Sequence, residues 1–446
     1  MADIHPFRAF RYASTSNNGS PTVSPAQVVT QPYDKITAAL QDRYYAASPY
    51  NLVRLILGRK EPGDNQENNV YSRAAAYLRD WRQQGILRQD AQPSLYAYSQ
   101  RFSRPGASKE SPGAEVERHG FIALGRVEEY SAGVVFPHEQ TLSKPKADRL
   151  ALLRATHAHF GQLFMLYEDS GQVESLLRTT TEPDISVTDE YEVLHRVWQI
   201  SDPQVIASAR SAMSEKRLII ADGHHRYETA LAYRDECRAS GSPAARDRNA
   251  PHNFAMMTFV NLNSPGVIIL PTHRVVHSLP SFSEDEFRTA ARAFFDIDEV
   301  DTPIDASRAI AILHQCGRTG TSILAITANR AFLLHHPNPN APDVFGGLSI
   351  RQQSLDVVQL HKVLLEAVLQ LSEESIRNQQ NISYVRDAAE AISSLQGSPR
   401  ANIVFLMNSC RVSQVRDIAF TGEVMPQKST DFYPKLLSGL TVYALD

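Results

Sequence analysis

Cysteine is scarce. Cys237, Cys316 and Cys410 are the three in 446 residues, odd in number and far apart. That excludes a disulfide-framed scaffold and a thiolate zinc site and leaves reduced thiols, the state expected in the cytoplasm. Also missing is any apolar run approaching the roughly 20 residues that cross a bilayer. Residues 1–10 carry His5, Pro6 and Arg8 and no apolar stretch, so neither a secretory signal nor a membrane partner is expected. A basic excess is absent too: 45 Lys and Arg stand against 49 Asp and Glu, a formal net charge of −4. Nothing in that balance attracts the phosphate backbone of nucleic acid. There is no internal repeat and no low-complexity tract.

What is present is the composition of a globular protein. A hydrophobic content of 42% with 21% charged residues is far from the disordered regime, and the length calls for two or three packed units. Turn-rich stretches at 16–25, 103–117 and 239–252 interrupt the periodic segments. Helical spacing appears over 70–84 and 146–160, after position 226, from the Ser283-Glu284-Asp285-Glu286 capping pattern onward, and over 357–371. Short apolar runs at 95–98, 121–124, 218–221 and 403–406 read as strands, and 323–326 with 331–334 as a hairpin. Helices and strands interleave, so the class is mixed α/β, or α+β. Three regions are expected: an N-terminal α/β region 1–116, a core 117–278, and a C-terminal α/β region 279–446.

The core carries Ala221-Asp222-Gly223-His224-His225-Arg226-Tyr227. An apolar strand there runs into Asp-Gly and then into a helix whose first turn is basic. Gly223 permits a turn of either sign of φ, and the N–H groups that follow point outward at the positive end of the helix dipole. His224, His225 and Arg226 are out of place at that end unless an anion compensates them. Arg226 offers the forked donors that suit phosphate, and Asp222 can take a metal ion or a substrate hydroxyl. Without a ligand, the same residues are a polar surface turn.

Three further clusters have the right chemistry. Pro137-His138-Glu139-Gln140-Thr141 places a carboxylate beside a histidine; Glu139 can act as a general base on a hydroxyl, and the zinc-protease spacing is absent. Pro271-Thr272-His273-Arg274 ends an apolar run with a His-Arg pair, which with no ligand is a solvated strand end. Gly422-Glu423-Val424-Met425-Pro426-Gln427-Lys428-Ser429 approaches the Walker A loop, but Gln427 replaces the second glycine and Pro434 opposes the helix such a loop feeds. Lys428, Ser429, Thr430 and Lys435 remain as phosphate contacts from a C-terminal tail.

These clusters, with Gln31-Pro32-Tyr33-Asp34 and Ser48-Pro49-Tyr50-Asn51, resemble in order the bacterial family filed as domain of unknown function 1015. The Asp222–Arg226 segment is also similar to the Asp-Gly-His-His-Arg motif of ParB/sulfiredoxin-fold proteins, above all the archaeal kinases of free serine. That resemblance implies a ParB/sulfiredoxin-like core with flanking regions. It implies nucleotide phosphates from ATP or ADP, and Mg²⁺, held by Asp222, Gly223, His224, His225 and Arg226, with His273, Arg274 and Lys428 as further phosphate contacts. Asp222, His224 and Glu139 would be the catalytic residues, with Glu139 activating the acceptor hydroxyl. The chain departs from the family at Asp431, where an aromatic residue is expected. The expected activity is a nucleotide-dependent phosphotransferase for a small hydroxylated metabolite. The rivals are a nucleotide- or metabolite-binding regulatory module and a phosphatase or nucleotide hydrolase.

Overall fold

Local chemistry explains where the helices begin. Asn69 accepts from the N–H groups of Tyr71 and Ser72 at 2.9 and 3.1 Å, and the Ser72 hydroxyl takes the N–H of Asn69 at 3.0 Å. These bonds satisfy donors that the first helical turn leaves without partners, and helix α1 (Val70–Gln83) follows. Its buried stripe is Ala74, Leu78 and Trp81, spaced four and three apart. The computed structural model describes residues 2–13, 22–106, 113–141, 143–241, 247–397 and 400–446. Parts of the three turn-rich stretches at 16–25, 103–117 and 239–252 lie outside the described residues.

The chain divides into two compact units. The first comprises Met1–Pro137, Leu142–Val267 and Pro434–Asp446; the second comprises His138–Thr141 and Ile268–Tyr433. This differs from the three regions read along the sequence. Position 116/117 falls inside a strand whose antiparallel pairs run from Tyr96↔Ile122 to Ser103↔Glu115. The last thirteen residues, 434–446, belong with the N-terminal half.

In the first unit a nine-stranded mixed sheet is built from β1 (Ile4–His5), β2 (Leu95–Ser103), β3 (Glu115–Arg126), β4 (Val135–Phe136), β5 (Leu163–Tyr167), β6 (Ile185–Thr188), β7 (Leu194–Ile200), β8 (Leu218–Asp222) and β9 (Phe254–Asn261). The spatial order is β4-β8-β5-β9-β3-β2-β7-β6, with β1 on β3. The β4–β8 and β5–β9 pairs are parallel, the rest antiparallel. Helices α2 (Ser143–Thr156) and α3 (His224–Ala239) belong to this unit. One core joins Phe121, Met165, Ile220, Tyr227 and Phe259. Another joins Phe10, Leu55, Leu78, Trp81, Leu152, Phe160 and Val442, which ties the C-terminal segment into the unit by apolar burial.

The second unit has a six-stranded antiparallel sheet: β10 (His273–His277), β11 (Phe295–Val300), β12 (Ser322–Ile326), β13 (Ala331–Pro337), β14 (Ile382–Val385) and β15 (Ala401–Met407), in the order β11-β13-β12-β15-β10-β14. The β12–β13 hairpin and the strand at 403–406 are where the apolar runs placed them. The helix expected over 357–371 is present, its later part widened to i→i+5 bonding such as Leu369 N–H to the Leu364 carbonyl at 2.9 Å. The class is mixed α+β.

Candidate functional site

Strand β8 ends at Asp222, and Gly223 turns the chain at φ +99° into α3, which starts at His224. The turn needs glycine twice over. That φ is costly for a side chain, and a Cβ would lie 3.0 Å from both Arg226 Nη2 and Leu163 Cδ2. The N-cap residue, Gly223, has no side chain with which to cap the helix, and a helix start carries anion-facing polarity. Tyr227, fully buried, anchors the first turn by donating to the Glu128 carbonyl at 2.7 Å. His224 and His225 are half-buried beside it.

Asp222 is clasped by two cations. Oδ1 accepts from Lys435 Nζ at 3.0 Å and Oδ2 from Arg226 Nη2 at 2.9 Å. Burial alone would raise the Asp222 pKa; Lys435, then Arg226 and Lys35, reverse it and hold the carboxyl well below its ordinary range. Three cations around one carboxylate at a helix start make a locally positive place. Arg226 also donates to the Gln162 carbonyl, which fixes its fork.

Lys435 was legible only as a basic residue in a tail. Its position comes from a buried network: Gln100 Nε2 donates to the Lys435 carbonyl at 2.9 Å, and Arg118 donates to the Pro434 carbonyl at 2.6 Å and to Gln100. Arg118 is 1% exposed, and its burial lowers its pKa to about 10. Neither Gln100 nor Arg118 was singled out along the sequence, because a polar residue in an alternating strand normally faces water.

Beside Arg226 a cavity of about 70 Å³ is lined by Pro32, Tyr33, Arg149, His159, Gly161 and Ser438, among others. The Pro32-Tyr33 cluster thus meets the Asp222 turn. Arg149 lies 4.1 Å from the Tyr33 ring centroid, and burial with the nearby Arg226 charge lowers His159 to about 4. The Ser48–Asn51 cluster is an anchor: Asn51 accepts from Val53 N–H at 2.9 Å and donates to the Gln27 carbonyl at 2.8 Å.

The other sequence candidates collect in the second unit. Glu139 accepts from the Lys428 N–H at 2.5 Å and from Thr430 Oγ1 at 3.5 Å, and its backbone bridges to Met425. Lys428 sits at φ +59°, a turn that the Glu139 bond helps to hold. His138 Nε2 is 2.8 Å from Thr430 Oγ1. His273 and Arg274 are 2% and 0% exposed, so this strand end is not solvated. Arg274 donates to the carbonyls of Thr272 and Lys428 and lies 3.3 Å from His361 Nε2. Asp431 pairs with Arg386 at 2.5 Å, and a strand, Asp431–Tyr433, follows where a P-loop would need a helix.

No helix among the described residues is long and apolar enough to cross a membrane. No curated protein matches the chain. Among solved structures it is similar to a conserved hypothetical protein from Pyrococcus furiosus, at 12% identity and a TM-score of 0.34 over 67% of this chain and 86% of that one. It is also similar to a free serine kinase in complex with AMP (12%, TM-score 0.34, 69% and 88%), and to SbnI with C-terminal truncation from Staphylococcus aureus (10%, TM-score 0.33, 71% and 85%). One family model matches residues 4–358, a span that takes in the Asp222 turn, Glu139 and Arg274 and stops short of Lys428. The chain belongs to the family described as Protein of unknown function (DUF1015).

Proposed function

We propose that the first unit binds the phosphate of a nucleotide at the start of α3 and transfers a phosphoryl group to the hydroxyl of a small metabolite. Free serine is the acceptor that the Asp-Gly-His-His-Arg resemblance implies. The observation that carries the reading is Asp222 held between Lys435 and Arg226 at the start of a helix. A phosphate there accepts the backbone N–H groups and draws the fork of Arg226 and the ammonium of Lys435 toward its oxygens. Asp222 keeps both cations oriented until it arrives. Charge spreading over the transferred group is then met by donors already in place, the main source of catalysis in phosphoryl transfer.

Mg²⁺ is not well served by this donor set. It asks for near-octahedral oxygens, and the turn's carboxylate already accepts from two cations at 3.0 and 2.9 Å. No step is therefore assigned to a metal held by the protein. Glu139, the base that the resemblance implies, lies in the second unit and accepts from Lys428 there, so no base for the acceptor is assigned within the first unit.

The experiment is to incubate the full chain with serine and ATP or ADP in magnesium buffer and to assay O-phosphoserine by mass spectrometry. Phosphoserine from the wild type and none from Arg226→Ala supports the reading. No phosphoserine with either nucleotide, together with unaltered nucleotide binding by Asp222→Ala, ends it. A second reading, a nucleotide-binding regulatory module, is favoured by one observation: Asp222 and Glu139 are both engaged as acceptors. Binding that depends on Arg226 without turnover identifies that case, and phosphate release without an acceptor identifies a hydrolase.

A further inference from the structure

We propose that the edge of the second sheet carries a binding site for a first-row transition-metal dication, formed by His335, His336 and Asp296 and oriented by Asp298. It is independent of the phosphate reading, because all four residues lie in the second unit and none takes part in the Asp222 turn.

The site arises from an irregularity in strand pairing. In the β11–β13 ladder Asp296 pairs with His335 and Phe295 with Pro337, so His336 is an extra residue in its strand. Successive strand residues normally face opposite ways; a bulge breaks that alternation. His336 takes φ +43°, and its ring comes to 4.5 Å from that of His335, centroid to centroid. The two Nδ1 atoms are 2.9 Å apart, and Asp296 Oδ2 is 3.5 Å from His336 Nδ1. These three residues form a group able to hold a metal ion.

The distances suit a cation. Metal–imidazole bonds are about 2.0–2.1 Å, so two nitrogens at right angles on one ion lie about 2.9 Å apart, against about 3.4 Å in a tetrahedron. Right-angled nitrogen and oxygen donors are the preference of Ni²⁺ and Cu²⁺. The other nitrogen of His335, Nε2, lies 3.0 Å from Asp298 Oδ2. With its proton on Nε2 pointing at that carboxylate, His335 turns the Nδ1 lone pair to the ion, the carboxylate–histidine–metal arrangement that fixes tautomer and ring. Asp296 and Asp298, two apart on edge strand β11, share its face. The side chains of His336 and Asp296 are 61% and 71% exposed, so an ion enters from solvent and keeps water in its remaining positions.

The test uses the tag-free full chain, stripped with EDTA and titrated calorimetrically with NiCl₂, with thermal melting in parallel. One equivalent bound at low micromolar concentration, with a melting temperature that rises and falls back on chelation, is expected. His335→Ala and His336→Ala should each remove the site. Asp298→Asn should weaken it by about 10- to 100-fold, the usual effect of losing such an orienting partner. Asp222→Asn should leave it unchanged. Absence of a stoichiometric site in the wild type, or a site of unchanged affinity in the two histidine variants, overturns the proposal. Melting curves of the metal-free variants separate loss of ligand from loss of fold.

Discussion

Lys435 reaches Asp222, 213 positions earlier in the chain, with Nζ 3.0 Å from Oδ1. The Lys435 side chain is 8% exposed and that of Asp222 22%, so the pair is only thinly screened by water. Asp222→Asn leaves Lys435 with a neutral partner and is expected to cost about 1.5–3 kcal/mol, the range for a hydrogen bond to a charged group. Lys435→Met costs less, because Arg226 still holds the carboxylate. Since the folded-state pKa of Asp222 lies below the ordinary aspartate value of 3.8, its contribution is complete above that value and fades as pH falls beneath it. Urea unfolding of wild type and Asp222→Asn at pH 7 and pH 3 should show the difference between them shrinking in acid; an unchanged difference would contradict the pairing.

Gly223→Ala tests the turn itself. With φ +99° and Arg226 Nη2 at 3.0 Å from the new Cβ, the substitution is expected to destabilise by about 1–3 kcal/mol. It should also weaken phosphate binding, since the Arg226 fork must move. A thermal-shift titration with ATP compares the two proteins. An alanine variant as stable as wild type, with equal affinity, would show that neither the φ nor the close approach matters.

In the second unit His273 is buried and accepts the Met407 N–H at 3.3 Å. Burial first, and the adjacent Arg274 second, push its pKa down from 6.5 to about 4. Between those values the unfolded chain takes up a proton that the folded one refuses. Stability is therefore complete above pH 6.5 and drains as pH falls toward 4, by at most about 1.4 kcal/mol per pH unit. His273→Gln should lower stability at pH 7 and flatten that slope, measured by denaturant unfolding at pH 7.0, 6.0 and 5.0. Equal slopes would refute it.

Burial pushes the Cys410 thiol up to about 12, so at neutral pH almost none of it is thiolate, the reactive form. Cys237 and Cys316 are half-buried by comparison. Iodoacetamide at pH 8 followed by peptide mapping should leave Cys410 unmodified in the native protein and label it in guanidinium. Rapid native labelling of Cys410 would mean that this part of the second unit opens readily.

Much of the local architecture was legible along the chain. The stripe Ala74, Leu78 and Trp81, the apolar run ending at Asp222 and the glycine after it each carry their own periodicity or backbone demand, and each is where those demands place it. Grouping was not legible. Glu139 and Lys428 are 289 positions apart and bonded, while Arg274, read as a strand end in water, is 0% exposed.

The sequence by itself determined the strand, the turn at Gly223 and the basic helix start, because φ preference and hydrophobic period act over a few neighbouring residues. Tertiary structure alone decided that Lys435 is the partner of Asp222. That choice depends on Arg118 and Gln100 spending buried donors on the carbonyls of Pro434 and Lys435, and buried polar groups take whichever partner the folded chain brings within reach. Tertiary structure alone also put His336 beside His335, through one extra residue in a ladder whose register no local pattern specifies.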